Sequence, residues 1–424
     1  MRVMIIGAGI GGLTLAQALH HGGIEVSVHD RDPQVGATGG YRLHLDDRAC
    51  EVLRRHLSPQ HYHALLASSV SRASLRRYTW ADHHLRPLVT RPSDQGTDTL
   101  MIGRVPLRTL LTHGLDDQVR FGAEYVSHEV LSDGRVAAHF ADGSTDTADV
   151  LVGADGTRSR VAASLAGREL ADPIGFGGIA ARTPLTARTR ALLPDIVNDG
   201  PVLALGLKGA SVFMQVHDPS GGPAIDPASC TTVPAITEAP SLVWGLSATE
   251  TVLPPVTVQG MTGPELVEFT LSTVRGWPPA VLELIAATDP GSAAGFRFYA
   301  ADPDADLTPW PAGPVTALGD AVHAMPPTGG RAAATAIIDA DHLARELLAA
   351  RDGDSTIALA THRFHREMAG YAPAAIRFSM LPLRWLSRVD RLDRPGLRGL
   401  AELGLSAAAA VHHFNSSLNG RAAA

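Results

Sequence analysis

Residues 315–340 read VTALGDAVHAMPPTGGRAAATAIIDA: a short apolar run ending in Gly319 and the acidic Asp320, a loop through Pro326, Pro327, Gly329 and Gly330, then an alanine-rich run of helical character. Strand, loop and helix in that order set a carboxylate at the carboxyl end of a strand. They also leave free backbone N–H groups at a helix start, where the helix dipole favours negative charge. Gly-Asp followed by glycines occurs in many loops. The stretch gains its meaning from the other end of the chain, which carries a matching half-site.

Residues 2–6, RVMII, are a β-branched, apolar run short enough for a buried parallel strand, and Gly7-Ala8-Gly9-Ile10-Gly11-Gly12 follows at once. Gly7, Gly9 and Gly12 satisfy GxGxxG: the first permits the tight turn, the second lets backbone approach a pyrophosphate, and the third allows close helix packing. LTLAQALHH continues as a helix. The next strand, IEVSVHD, ends at Asp30, about 20 residues on, where a ribose hydroxyl would be held. A lone GxGxxG is a weak signal. Strand, glycines, helix, strand and terminal acid together point to a dinucleotide site, for NAD or FAD alike.

Further along, Arg42 lies in the glycine-led strand GGYRLHL, where it either faces a cofactor phosphate or flavin edge or is simply solvated. Arg104 precedes a helix and Arg108 follows four residues on, on one face, as partners for a pyrophosphate or as an exposed pair. Short strands with turn signals SDGR and ADGS occupy 119–149. DVLVGADGTRSR then delivers another buried strand ending in Asp155-Gly156, with Thr157 and Ser159 as helix-capping candidates. Residues 170–300 are richer in proline and glycine. Their strand-like runs PVLALGL, SVFMQV, SLVWGLSA and AGFRFYA read as an antiparallel sheet inserted into the nucleotide-binding fold. Phe213, Trp244 and Phe298 on these runs are candidates for lining a substrate pocket, against the commoner role of plain core.

At 424 residues the chain can bury a large core, and its net charge of -7 argues against a nucleic-acid or anionic-membrane partner. Two cysteines, Cys50 and Cys230, make no disulfide framework and suggest a reducing compartment. The apolar start is used by the first motif, so no presequence is read there, and no apolar segment is long enough to span a bilayer; the expected location is cytoplasmic. Lys208 is the only lysine, an arginine bias that fits a GC-rich bacterial genome. The histidine pairs His61/His63, His83/His84, His362/His365 and His412/His413 lack accompanying ligands, so no metal is expected. GxSxG, the P-loop and HExxH are absent from the sequence, which removes the usual support for a hydrolase or kinase.

GAGIGG with Asp30, GADGTRS, and ALGDAVHAMPP, in that order over roughly the first 350 residues, resemble the FAD-dependent group A aromatic monooxygenases of the p-hydroxybenzoate hydroxylase fold. The resemblance implies an α/β fold: a Rossmann-like FAD-binding domain, an inserted mostly antiparallel β-sheet substrate domain, and a helical C-terminal segment. The corresponding divisions are 1–75, 98–175 and 290–350 for FAD, 76–97 and 176–289 for substrate, and 351–424 for the C-terminal helices. It implies that Gly7, Gly9 and Gly12 meet the FAD pyrophosphate, Asp30 the adenosine ribose and Arg31 the adenine side. Arg104 would reach FAD, Asp155 and Gly156 would serve FAD and NADPH, and Gly319 and Asp320 would lie at the ribityl and pyrophosphate region. His323, Pro327 and Gly330 continue the match, and Arg42 and the 327–334 loop fall near the flavin.

The implied activity is an FAD-dependent monooxygenase, reduced by NADPH or NADH, that hydroxylates or epoxidises an aromatic or polyketide-like small molecule in bacterial secondary metabolism. No side-chain acid or base is required, so no catalytic residue is assigned. The chain departs from the family's PxxGxGxN pattern at Ala332 and Ala334, and carries Ala162 where arginine is common. A Cβ at Ala332 would be strained if that position needs positive φ. The alternative is therefore an FAD-fold enzyme of non-redox role, cyclase- or pericyclase-like, with flavin structural or lost. An NAD-dependent dehydrogenase is disfavoured, because the late Gly-Asp motif has no place in that architecture.

Overall fold

The computed structural model describes residues 1–38, 42–70, 77–92, 99–206, 209–218, 225–252 and 258–391. The glycine pair at 39–40, Tyr41, Lys208 and the arginine- and alanine-rich stretch from 392 lie outside these.

Strands β1 (Arg2–Ile6), β2 (Glu25–Asp30), β7 (Val119–Phe121), β11 (Val150–Gly153) and β17 (Val315–Ala317) form a five-stranded sheet in the order β17-β11-β1-β2-β7. Every pairing in it is parallel. The three central apolar runs are buried along nearly their whole length, as a parallel sheet covered on both faces demands. Because β17 pairs with β11 and β11 with β1, the ends of the GxGxxG, GADG and Gly-Asp strands are neighbours in space, although more than 300 residues separate the first from the last.

The helix Ile10–His21 is buried from Ile10 to Leu19, so nearly all of its surface meets protein. Its partner is the helix Ala332–Arg351, and small residues set the approach: a Cβ added at Gly11 would come 3.1 Å from the Ala336 Cβ and 2.8 Å from Leu318. Close contact of two backbones is what the alanine-rich sequence buys here.

A second sheet of seven strands joins β4 (Arg77–Asp82) and β5 (Pro87–Pro92) to β12 (Ala171–Pro184), β13 (Val202–Leu205), β14 (Ala210–His217), β15 (Ser241–Thr249) and β16 (Ala294–Ala301), in the order β16-β12-β15-β14-β13-β4-β5. All its pairings are antiparallel except β13 with β4. One face of this sheet, with Ala181, Val212, Met214, Leu242, Trp244 and Leu246, packs into its own apolar core. Two small sheets complete the fold: β8 (Tyr125–Val130), β9 (Val136–Phe140) and β10 (Thr145–Ala148), and the antiparallel pair β3 (Arg42–Leu45) with β6 (Leu100–Gly103). The helix Ala372–Arg391 packs Leu383 and Leu386 against Phe176 and Phe298. Among the described residues no helix is long and apolar enough to cross a membrane.

Candidate cofactor and substrate site

Gly7 has φ +111°, and a Cβ there would lie 2.2 Å from the Ala154 carbonyl oxygen; one at Gly12 would lie 2.1 Å from the Gly7 carbonyl oxygen. Both are glycine because protein backbone occupies the space. Gly9 differs: its Cβ would meet only the Ala154 oxygen at 4.0 Å, so the fold itself leaves the space above it open. The helix that follows has no side-chain cap at Gly9, and its first N–H groups are free for an anion.

Asp30 ends β2, and its Oδ2 accepts from the Ala8 N–H (2.6 Å) and from Arg108 (3.0 Å). Among the described residues Oδ1 accepts only from the Asp32 N–H (2.7 Å), so it retains a lone pair for a hydroxyl. Arg108, offered by the sequence as a pyrophosphate partner, is instead a buried brace. It donates to the Ala8 carbonyl (2.7 Å), Asp30, Asp32 (2.7 Å) and the Val35 carbonyl, and lies 5.5 Å from the Phe121 ring centroid. Arg31 is exposed beside it. Arg104 is exposed at the first turn of the helix Arg104–Thr112, where the helix dipole disfavours a cation; its charge reaches Asp320, and it could neutralise a bound anion.

Asp155 spends its carboxylate on its own turn, with Oδ1 accepting from Ser159 and Oδ2 from the Arg160 N–H (2.8 Å). Burial nonetheless raises its pKa. Ser159, rather than Thr157, caps the Arg160–Ala166 helix, its Oγ accepting from the Ala162 N–H (2.9 Å). The part of the GADG motif that meets the glycine loop is therefore backbone, through Ala154; Gly156 supplies the left-handed turn with φ +81°. Ala162 is buried in the main core.

Gly319 has φ +65° and donates its N–H to Asp339 Oδ2 (2.8 Å), which also pairs with His323 Nε2 (2.6 Å); Asp339 Oδ1 accepts from the Tyr371 hydroxyl (2.6 Å). Burial alone would lower the His323 pKa, but the charge and hydrogen bond of Asp339 outweigh it and raise the imidazole. Asp339, which the sequence did not single out, is the residue that fixes the Gly-Asp turn. Asp320 is left with a buried Oδ1 that has no hydrogen-bond partner among the described residues. Burial raises its pKa against the pull of His323 and Arg104. A buried, unpartnered carboxylate oxygen is costly, and a bound hydroxyl would satisfy it.

The loop beyond it is pinned to the C-terminal helix. Thr328 Oγ1 donates to the Ser379 carbonyl (2.6 Å), and a Cβ on Gly329 would lie 2.6 Å from the Ser379 Cα. Pro327 is exposed and Gly330 takes the left-handed turn at φ +64°. Ala332 opens the helix Ala332–Arg351, which has no side-chain cap, and Leu85 is the only non-glycine residue with positive φ among the described residues. The expected strain at Ala332 is therefore absent. Ala334 is buried in the core. His44 of β3 faces this loop, with its Cβ 3.9 Å from where a Gly330 Cβ would be.

Arg42 is two residues from His44, on the same face of β3 by strand alternation. Its guanidinium goes to Glu238 (2.8 Å), in the loop before β15, which also holds Arg182 of β12 (3.0 Å). Arg42 thus turns toward the seven-stranded sheet, rather than toward a phosphate at the glycine loop. Register places Arg182, Val243 and Gln215 on one rung and Pro184, Ser241 and His217 on the next. The face they share, opposite to the Trp244 core, continues into Phe213, Leu203 and Leu205, clustered with Tyr78, Trp80 and Trp385. Phe213 belongs to this face and is half-buried. Trp244 does not: it is fully buried on the other side, with its indole N–H donated to Thr288 (3.0 Å). Phe298 is core beneath the C-terminal helix.

An open-topped glycine loop, two uncapped helix N-termini, an exposed arginine at a helix start and a carboxylate oxygen unpartnered among the described residues could together hold a ribose- and diphosphate-containing cofactor. Residues 1–192 and 300–379 match the FAD binding domain family. A 3-amino-4-hydroxybenzoate 2-monooxygenase of Streptomyces platensis is 30% identical over 371 residues, covering 84% of this chain and 82% of that protein. A dual O-methyltransferase/FAD-dependent monooxygenase of Cercospora beticola is 29% identical over 82% of this chain, which spans 42% of that protein's length. Among solved structures, one from Photorhabdus luminescens described as a candidate FAD-containing monooxygenase superposes with a TM-score of 0.75 at 26% identity, covering 93% of this chain and 100% of that one. The chain belongs to the group A FAD-dependent aromatic monooxygenase family.

Proposed function

We propose that the chain is an FAD-dependent monooxygenase that uses NADPH or NADH and acts on an aromatic or polyketide-like small molecule of secondary metabolism. The observation that carries this reading is the convergence of Gly9, Asp30, Arg104 and Asp320, from distant parts of the chain, each with an unmet capacity that one FAD molecule would meet. When bound, FAD would supply the redox chemistry that couples oxidation of reduced nicotinamide to insertion of one atom of dioxygen into the substrate, the other leaving as water.

The chain's own part is to hold and exclude. The Gly9 and Ala332 helix starts offer backbone N–H groups to negative charge, Asp30 Oδ1 and Asp320 Oδ1 accept hydroxyls, and Arg104 neutralises diphosphate. The sheet face from Tyr78 to His217 is the wall of the substrate domain, residues 76–97 and 176–289, and it keeps water from the reacting centre. The hydroxylated aromatic acid in the name of the Streptomyces relative is a reasonable first substrate to try. Ala332 has no positive φ, which removes backbone strain from the motives for a non-redox role and leaves the departures from the family pattern at Ala332 and Ala334 as its support.

The visible spectrum of the purified protein, followed anaerobically as NADPH is added with 3-amino-4-hydroxybenzoate, tests the proposal. A flavin band that bleaches, with oxygen consumed on re-aeration, is expected. Protein that takes up no FAD, or whose flavin neither NADPH nor NADH reduces, overturns it.

A further inference from the structure

The least satisfied polar groups on the seven-stranded sheet gather where β14 ends. Arg42 has a side chain only 5% exposed, and beyond its bond to Glu238 neither Nε nor Nη1 has a partner among the described residues. That leaves one N–H on Nε and two on Nη1 unpaired in a buried guanidinium. Gln215 is 2% exposed and its Oε1 is unpaired among the described residues. His217, also 2% exposed, makes no hydrogen bond of normal geometry at either ring nitrogen, although the Glu238 backbone approaches it. Two residues apart on an unbroken stretch of β14, Gln215 and His217 stand on one face, about 7 Å apart.

The charges decide what fits. Glu238 bridges the buried Arg42 and the half-exposed Arg182, one carboxylate between two guanidinium groups, and Asp218, the other carboxylate that acts on His217, is paired with Arg190 (2.6 Å), so the group as a whole carries a net positive charge. Burial and the charge of Arg42 hold His217 down to about 3, so it adds no charge at neutral pH and offers one donor and one acceptor. Arg42 is itself lowered to about 10, chiefly by burial, and stays protonated. Buried polar groups are paired in the great majority of folded proteins, so several unpaired ones converging on one spot are a place prepared for a ligand. The same face runs on into Phe213, Leu203, Leu205, Tyr78 and Trp80, a flat apolar bed.

Resting on the monooxygenase reading and naming its substrate class, we propose that Arg42, Gln215 and His217 form the polar end of the substrate wall and select a flat hydroxylated molecule bearing an anionic oxygen. Arg42 takes the anion, which comes from a carboxylate or an ionised phenol. Gln215 Oε1 and a His217 nitrogen accept neighbouring hydroxyls. Glu238 positions Arg42 without touching the substrate.

Calorimetry on the FAD-loaded protein tests this with four probes: 3-hydroxy-2-naphthoate, its methyl ester, its methyl ether, and the doubly methylated compound. The free acid should bind at least about ten-fold more tightly than the doubly methylated compound, the scale of a charge-assisted hydrogen bond to a buried donor. Loss in the ester assigns the anion to the carboxylate, and loss in the ether with the ester still bound as tightly as the acid assigns it to the phenol. Arg42→Gln should reduce the preference to less than about three-fold while the bound flavin remains, and Gln215→Leu should selectively weaken the probes that keep the hydroxyl. Equal binding of all four, no binding of any, or a preference that survives both variants overturns the proposal. A protein that selects the acid but has no reducible flavin would instead defeat the monooxygenase reading alone.

Discussion

At the scale of single residues, the three glycines of GxGxxG make different predictions because different things fill the space above them. Gly7→Ala and Gly12→Ala drive a methyl into backbone at 2.2 and 2.1 Å, and should cost about 2 kcal/mol or more of stability with no ligand present. Gly9→Ala meets nothing closer than 4.0 Å. It should leave the FAD-free protein within about 1 kcal/mol of wild type while weakening FAD binding at least ten-fold, since only a ligand needs that space. Thermal melts of FAD-free protein with FAD titrations check both halves, and unchanged FAD affinity in Gly9→Ala would count against a diphosphate there. These glycines were legible because turn and close approach are local demands, written within six residues. Arg108 and Arg42 were ambiguous because their partners are remote: Asp30 lies 78 residues from Arg108, and Glu238 lies 196 from Arg42. A charged side chain advertises its chemistry in the sequence, but only the fold says which opposite charge reaches it first.

At the scale of elements, periodicity revealed the strands and helices but not which way a strand faces. A one-residue change of parity decides whether Trp244 or its neighbours meet the substrate, and both faces of β15 are apolar enough to leave the sequence silent. The Ala332–Arg351 helix shows the same limit. Its alanine-rich run told of a helix and not of what the helix packs against, while its acid Asp339, which ties the Gly-Asp turn, His323 and Tyr371 together, reads in sequence as an ordinary helical residue. That cluster has a pH signature. The folded pKa of His323 is raised above its unfolded value near 6.5, so the stabilisation is fully present below about pH 6.5 and is lost as pH rises through the raised value. Asp339→Asn removes the carboxylate that raises it. The gap in melting temperature between wild type and Asp339→Asn should therefore be widest near about pH 6 and narrow toward about pH 9; a gap that widens with pH would show that His323 is neutral in the folded protein.

At the scale of the whole molecule, the site is assembled from segments whose only shared property is where the parallel sheet ends. Gly9 follows β1, Asp30 closes β2, Gly156 follows β11 and Asp320 follows β17, the carboxyl-end position at which open α/β sheets bind ligands. A ligand held by all of them would bind only the folded chain, so FAD at about one hundred times its dissociation constant should add roughly 2.7 kcal/mol and raise the melting temperature by about 3–5 °C. Asp320 separates this gain from the cost of preparing the site. Its Oδ1 is buried without a partner, a penalty carried by the FAD-free protein and relieved only when something donates to it. Asp320→Ala should accordingly melt at or above wild type without FAD, yet lose most of the FAD-induced rise. Scanning fluorimetry of both proteins with and without FAD distinguishes the possibilities. A variant that melts lower without FAD would make Asp320 a structural acid, and one that keeps the full FAD-induced rise would remove it from the cofactor site.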